Sequence, residues 1–201
     1  MHPNPVFRGT PEAEALRMAA ERGFGTLVAN GEAVPLIAQV PFVLEGDVAE
    51  FHLLRSNPIA RAAPERAVLI VQGPDGYVSP DWYGLPDQVP TWNYVAVHLE
   101  GTLEILGPDA LRAHLDRLSE AFETRLPKTP WRTDKMTPEL LERMMRSILP
   151  ARLRVGEVRS TVKLNQNKPE AARLAAAGAL EGSVGHELSA LAALMRQPDI
   201  A

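Results

Sequence analysis

The order of hydrophobic patterns constrains this chain most: strand patterns come first, helical patterns follow, and one strand pattern returns late. Thr10-Pro11 starts a short helix, with Glu12 and Glu14 in its first turn and Gly23 as its stop. Phe24 to Ala29 then reads as a strand, and Asn30-Gly31 is a strong hairpin signal. The return strand, Val34 to Leu44, carries Pro35 and Pro41, which confine it to an edge or a broken ladder. Glu45-Gly46-Asp47 makes the next turn and Val48 to Leu54 the next strand. A polar segment from Arg55 to Arg66 precedes a continuous apolar strand, Ala67 to Gln72. Asn93 to Leu106 is a long strand, stopped by Gly107-Pro108.

Helical spacing takes over there. Leu111, Leu115, Leu118 and Phe122 form one stripe. Thr137-Pro138 starts another helix, with Leu141, Met144, Met145 and Ile148 inward. Ala151 to Arg159 alternates as a strand, and helices follow at about Pro169 to Ala177 and Ser183 to Arg196. Strands and helices that do not alternate argue for α+β and against a doubly wound sheet. A barrel closed by the late strand removes exposed edges. The expected organisation is a single domain over residues 1–201, with the helices at about 169–196 as an appendage.

Composition narrows the chemistry. With no cysteine there is no disulfide, thiolate nucleophile or cysteine-held metal. A formal charge of −4 gives the whole surface no attraction for nucleic acid. Met1-His2-Pro3-Asn4-Pro5 lacks the pattern of a signal peptide, and no apolar run approaches the roughly 20 residues that span a bilayer, so the expected setting is cytoplasmic with no membrane partner. None of the five histidines falls in a metal-binding spacing with a carboxylate, so no metal is expected. His114 and His186 are expected in helices facing solvent; His52 and His98 lie in strands and suit polar contacts within a site. Walker A, dinucleotide-binding and nucleophile-elbow motifs are all missing.

Three segments concentrate polar and aromatic groups instead. His52-Leu53-Leu54-Arg55-Ser56-Asn57-Pro58 presents an arginine beside neutral donors, which is phosphate chemistry; a solvated strand end with an Asn-Pro turn reads equally from the residues. The window from Gln72 to Tyr94 holds two of the three tryptophans and all three tyrosines. Its aromatics and amides suit a planar heterocycle, or a rigid proline-pinned loop capping a barrel. Lys163-Leu164-Asn165-Gln166-Asn167 offers one cation and three amides, and Asn167 could equally cap the next helix.

Together these segments resemble the PaiB-like FMN-binding negative transcriptional regulators. The family runs G-H-x-A-R-x-N-P, Q-G-P-H-x-Y-I-S-P-x-W-Y, V-P-T-W-N-Y-x-x-V-H-x-x-G and, late on, G-K-x-K-L-S-Q-N. Phe51 to Pro58 follows the first run with phenylalanine for glycine and Leu54 for alanine, and Gln72 to Tyr83 the second with Asp75 for histidine and Val78 for isoleucine. Val89 to Gly101 matches the third closely, and Lys163 to Asn167 the fourth with Asn165 for serine. Ser160-Thr161 stands where Gly-Lys would be, and Gln39 where a histidine is common. Each departure weakens an anion site by about 0.5–1.5 kcal/mol if it removes a neutral hydrogen bond.

The resemblance implies an antiparallel split β-barrel of the FMN-binding type, with helical excursions and C-terminal helices, forming a homodimer with FMN at the interface. Carried over by position, Arg55 and Asn57 are implied phosphate contacts with His52 beside them. Thr91, Trp92, Asn93 and Tyr94 are implied pocket wall, Ser79 a further contact, and Lys163, Gln166 and Asn167 the late-chain contribution. Two other functions stay open: an FMN-dependent oxidoreductase related to pyridoxamine-phosphate oxidases or flavin reductases, and a flavin-free dimeric scaffold. The segment from Ser183 to Arg196 carries one arginine and an apolar stripe, so it reads as a docking helix and direct DNA binding is not expected.

Overall fold

The computed structural model describes residues 2–198. Its strands are β1 (Phe24–Ala29), β2 (Leu36–Pro41), β3 (Val43–Glu45), β4 (Val48–Leu54), β5 (Arg66–Val78), β6 (Thr91–Ile105), β7 (Ile148–Lys163) and β8 (Gly185–His186). Its α-helices are α1 (Glu12–Arg22), α2 (Pro58–Ala62), α3 (Leu111–Glu123), α4 (Pro138–Met145), α5 (Glu170–Ala179) and α6 (Leu188–Arg196). The eight-stranded sheet runs β2-β1-β5-β6-β7-β4-β3, with β8 paired to β5. The late strand β7 lies between β6 and β4. The architecture is α+β and the pairings are antiparallel, including β1 with β2, β1 with β5 and β4 with β7.

Residues fall into two compact units. One combines Gln72–Val97 with the chain up to Met18 and from Arg159 onward; the other combines Ala19–Val71 with His98–Val158. The first is centred on Val78, Tyr83, Val95, Val162, Leu164 and Leu180, with Leu191, Ala192 and Met195 of α6 buried among them. The docking-helix expectation for α6 is thus met: its apolar face is inside. In the second, alternation buries Leu27 of β1, Phe51 and Leu53 of β4, Leu69 of β5 and Leu99 of β6. Glycine permits one close approach there: Gly23, at φ +58°, sits where a Cβ would come 2.7 Å from the Phe122 ring.

Several expectations need correcting. Asn30-Gly31 does not form a two-residue turn: neither residue has positive φ, and β1 and β2 are joined by residues 30–35, where Pro35 keeps the ladder from starting sooner. The single return strand is two strands, because Pro41 ends β2 and the Phe42 N–H turns to the Gly23 carbonyl at 2.8 Å. The polar stretch after Arg55 contains α2. The last helix starts at Leu188, five residues after the expected Ser183; His186 belongs to β8 and is exposed.

Candidate functional site

The motif side chains divide between the two units, and each group has its own local logic. In the second unit, β4 ends at Leu54 and hands the chain to α2. Asn57 is the N-cap of α2: its Oδ1 accepts the Ile59 N–H at 2.9 Å, and Pro58 follows at the first helical position. The Asn-Pro turn reading therefore describes the Asn57 carbonyl, and its amide nitrogen remains available. Arg55 is exposed and donates from Nε to the Arg146 carbonyl at 2.8 Å. Its terminal nitrogens carry no bond and no carboxylate faces it among the described residues. His52 is half-buried in β4, with Nδ1 at 3.2 Å from Nε2 of His114.

His114 corrects the sequence expectation, for it is only 2% exposed. The signal was present: His114 is three residues after Leu111 and four before Leu118, on the stripe that buries both. Burial, then the neighbouring His52, pushes its pKa down to about 4, and Glu50 opposes that shift. Burial likewise lowers the pKa of His52.

In the first unit most motif groups are already engaged. The indole N–H of Trp92 donates to Asp75 Oδ1 at 2.9 Å, Gln72 donates to Asp75 Oδ2 at 3.4 Å, and His186 Nδ1 lies 3.2 Å from the same oxygen. Asp75 is 5% exposed, so its charge is enclosed by these partners and the histidine-to-aspartate departure is answered by local donors. Trp92 and Tyr77 are both partly exposed and meet edge to face, with centroids 6.3 Å apart. Asn93 is fully buried; its amide nitrogen reaches Met195 Sδ at 3.4 Å and its Oδ1 has no partner among the described residues. Tyr94 is half-buried in β6. Ser79 caps the turn at Pro80–Tyr83, accepting the Asp81 N–H at 3.4 Å.

Lys163 donates to the Thr91 hydroxyl, and its ammonium lies 5.8 Å from the Phe7 ring centroid. Burial lowers its pKa, and no carboxylate pairs with it among the described residues. Gln166 bridges its own turn: its Oε1 accepts the Leu164 N–H at 2.7 Å, and its Nε2 donates to the Val162 carbonyl at 2.6 Å. Asn167 is exposed and does not cap the following helix, whose N-cap is Pro169 without a side-chain bond. Asn165 sits at φ 61°, a conformation asparagine tolerates better than most residues, and accepts the Tyr83 hydroxyl at 3.4 Å. Ser160 and Thr161 are buried, whereas Gln39 is exposed and accepts the Thr26 hydroxyl across β1 and β2 at 2.9 Å.

A separate cavity of about 360 Å³ in the second unit is lined by Arg112, Asp116, Trp131 and Thr133, among others. No motif marks it. Arg112 donates to Thr133 at 2.6 Å, and Thr133 donates to Asp116 at 3.0 Å, so its polar wall is internally matched. Among the described residues no cluster of three or more metal-ligating side chains occurs, and no helix is long and apolar enough to cross a membrane.

Comparison with known proteins agrees with the motif reading. The family described as "Putative FMN-binding domain" matches residues 1–157. "Protease synthase and sporulation protein PAI 2" of Bacillus subtilis (strain 168) is 31% identical over 170 residues, covering 82% of this chain and 81% of that protein. A FAD- and heme-binding protein of Mycobacterium smegmatis superposes with a TM-score of 0.59 at 22% identity, over 78% of this chain and 73% of that one. The flavocytochrome Anf3 of Azotobacter vinelandii gives 0.59 at 16% identity, over 81% and 72%. Those two likenesses establish a shared fold, the split-barrel type anticipated from the motifs.

Proposed function

The chain belongs to the FMN-binding domain family, and we propose that it works as a homodimeric, cytoplasmic flavoprotein with a regulatory role. FMN is its cofactor. When bound, FMN supplies redox chemistry that protein side chains lack; the chain's own residues bind and orient it. The observation carrying our assignment of contacts is that both motif cations, Arg55 and Lys163, lack a carboxylate partner among the described residues. A half-buried ammonium without a counter-charge is costly, and an anionic ligand offsets that cost.

In this reading Arg55 and Asn57 take the phosphate, with His52 beside them. Arg55 offers its two terminal nitrogens as a fork, which suits phosphate oxygens. Thr91, Trp92, Asn93 and Tyr94 act as wall, and Ser79 as a minor contact. Lys163, Gln166 and Asn167, which lie past the residues matched by the family, supply the late-chain contribution, Gln166 by holding the turn that presents the other two. We treat residues 1–201 as one functional domain. Homodimerisation is supported by large exposed apolar side chains near the outer strand β2, Val34 at 68% and Ile37 at 62% exposure, and by the prevalence of two-fold dimers. A regulatory effect through flavin and partner, and not through a DNA-reading helix, fits the buried apolar face of α6.

The test is the visible absorption spectrum of the purified chain with and without added FMN, paired with sedimentation at micromolar concentration. Saturable flavin binding by a dimer is expected. A chain that neither retains nor takes up FMN, or a clean monomer, overturns the corresponding half of the proposal.

A further inference from the structure

One face of β4 gathers chemistry that the motifs do not explain. Glu50 and His52 are two residues apart on the strand and share that face. Helix α3 lies against it and presents His114 and Arg117, three residues apart on one helical face. The two imidazoles meet edge to face, with centroids 5.4 Å apart and Nδ1 of His52 at 3.2 Å from Nε2 of His114. Burial holds both rings neutral near pH 7. A neutral imidazole has one N–H and one bare nitrogen, so across this contact one ring donates and the other accepts.

The surroundings decide which. The Glu50 carboxylate lies 3.9 Å from Nδ1 of His114, too far for a hydrogen bond but close enough for its field to favour an N–H over a lone pair. Arg117 binds the same carboxylate, yet its effect on His114 is smaller than that of Glu50. With the proton on Nδ1, His114 has a bare Nε2 and must accept from His52. His52 then carries its proton on Nδ1, and its Nε2 is bare.

We propose that Glu50 and His114 lock His52 in the Nδ1–H tautomer, so that His52 offers bound ligand a bare Nε2: an acceptor for a hydroxyl or ring N–H, and not a donor to phosphate. His114 is a positioning residue acting through His52. The ligand part rests on the FMN reading, since the ribityl hydroxyls and the ring N–H of a flavin are donors of this kind. Phosphate recognition in this segment then falls to Arg55.

Nitrogen-15 NMR of the full chain, labelled at histidine and free of flavin, reads the tautomer without any ligand. The expected spectrum gives His52 a protonated Nδ1 and an unprotonated Nε2, and His114 the same. A protonated Nε2 on His52 overturns the proposal. Glu50→Gln is expected to shift His52 toward Nε2–H, and an unchanged tautomer removes Glu50 from the argument. Titrations with FMN and with riboflavin, which lacks the phosphate, then read the contact. His52→Phe is expected to weaken both by the same factor, on the order of tenfold, while Arg55→Ala weakens FMN alone. A His52→Phe loss confined to FMN overturns the acceptor role. Failure of the unaltered chain to bind either flavin overturns the FMN reading and the ligand part with it, whereas the NMR result stands or falls by itself.

Discussion

The two groups of motif residues differ in how much of their hydrogen-bonding capacity the fold has already used. Around Arg55 the second unit leaves groups open: a guanidinium with one nitrogen engaged, and a capping asparagine with a free amide. In the first unit Gln166 has both ends committed to its own turn, and Trp92 is held by Asp75. The contrast teaches that a motif carries two kinds of residue, those that meet a ligand and those that shape the segment presenting it. Substitutions in the two regions should separate stability from affinity.

The largest expected effect is on stability, in the first unit. Asp75→Ala takes a buried carboxylate away from the partly exposed Trp92 indole and the exposed Gln72 amide, which lose their shared acceptor. A loss of about 2–4 kcal/mol is expected, measured by urea denaturation, with a shifted Trp emission. An unchanged midpoint would mean that the carboxylate cluster shapes nothing.

Arg55→Ala should do the opposite. Stability is expected to stay within about 0.5 kcal/mol, as for exposed sites, while FMN affinity falls by about 1.5–3 kcal/mol. Ser79→Ala removes a neutral cap and should cost affinity less, at most about 0.5–1.5 kcal/mol. Equal losses of affinity in a flavin-fluorescence titration would move the phosphate away from Arg55.

A subtler effect is pH dependence in the second unit. His114 has a folded pKa of about 4 against an ordinary 6.5, so the unfolded chain binds its proton more readily. Its stabilising contribution is complete above pH 6.5 and is lost as pH falls toward 4. Between pH 7 and pH 5 the loss should be on the order of 2 kcal/mol, before most carboxylates titrate. His114→Gln should flatten that part of the denaturation profile, and an equally steep profile in the variant would assign the dependence elsewhere.

Much of this was legible from the chain alone. Phe24–Ala29 and Val48–Leu54 coincide with β1 and β4, because period-two alternation and flanking turn residues describe a half-buried strand locally. The α+β order, the late strand and the motifs that mark the family are properties of residue order and need no third dimension. Strand ends were less legible: β5 continues to Val78 through Gly73 and Gly76, since pairing with β8 through Asp75 and His186 supplies partners that local pattern cannot reveal.

The sequence by itself determined the class of fold, the flavin family and which segments carry the chemistry. Only the tertiary structure decided which of those side chains are free. Asp75, Trp92 and His186 meet across long sequence separations, and so do Glu50, His52 and His114. Burial lowered the pKa of both histidines, because desolvation depends on what packs around a ring and not on its neighbours in the chain.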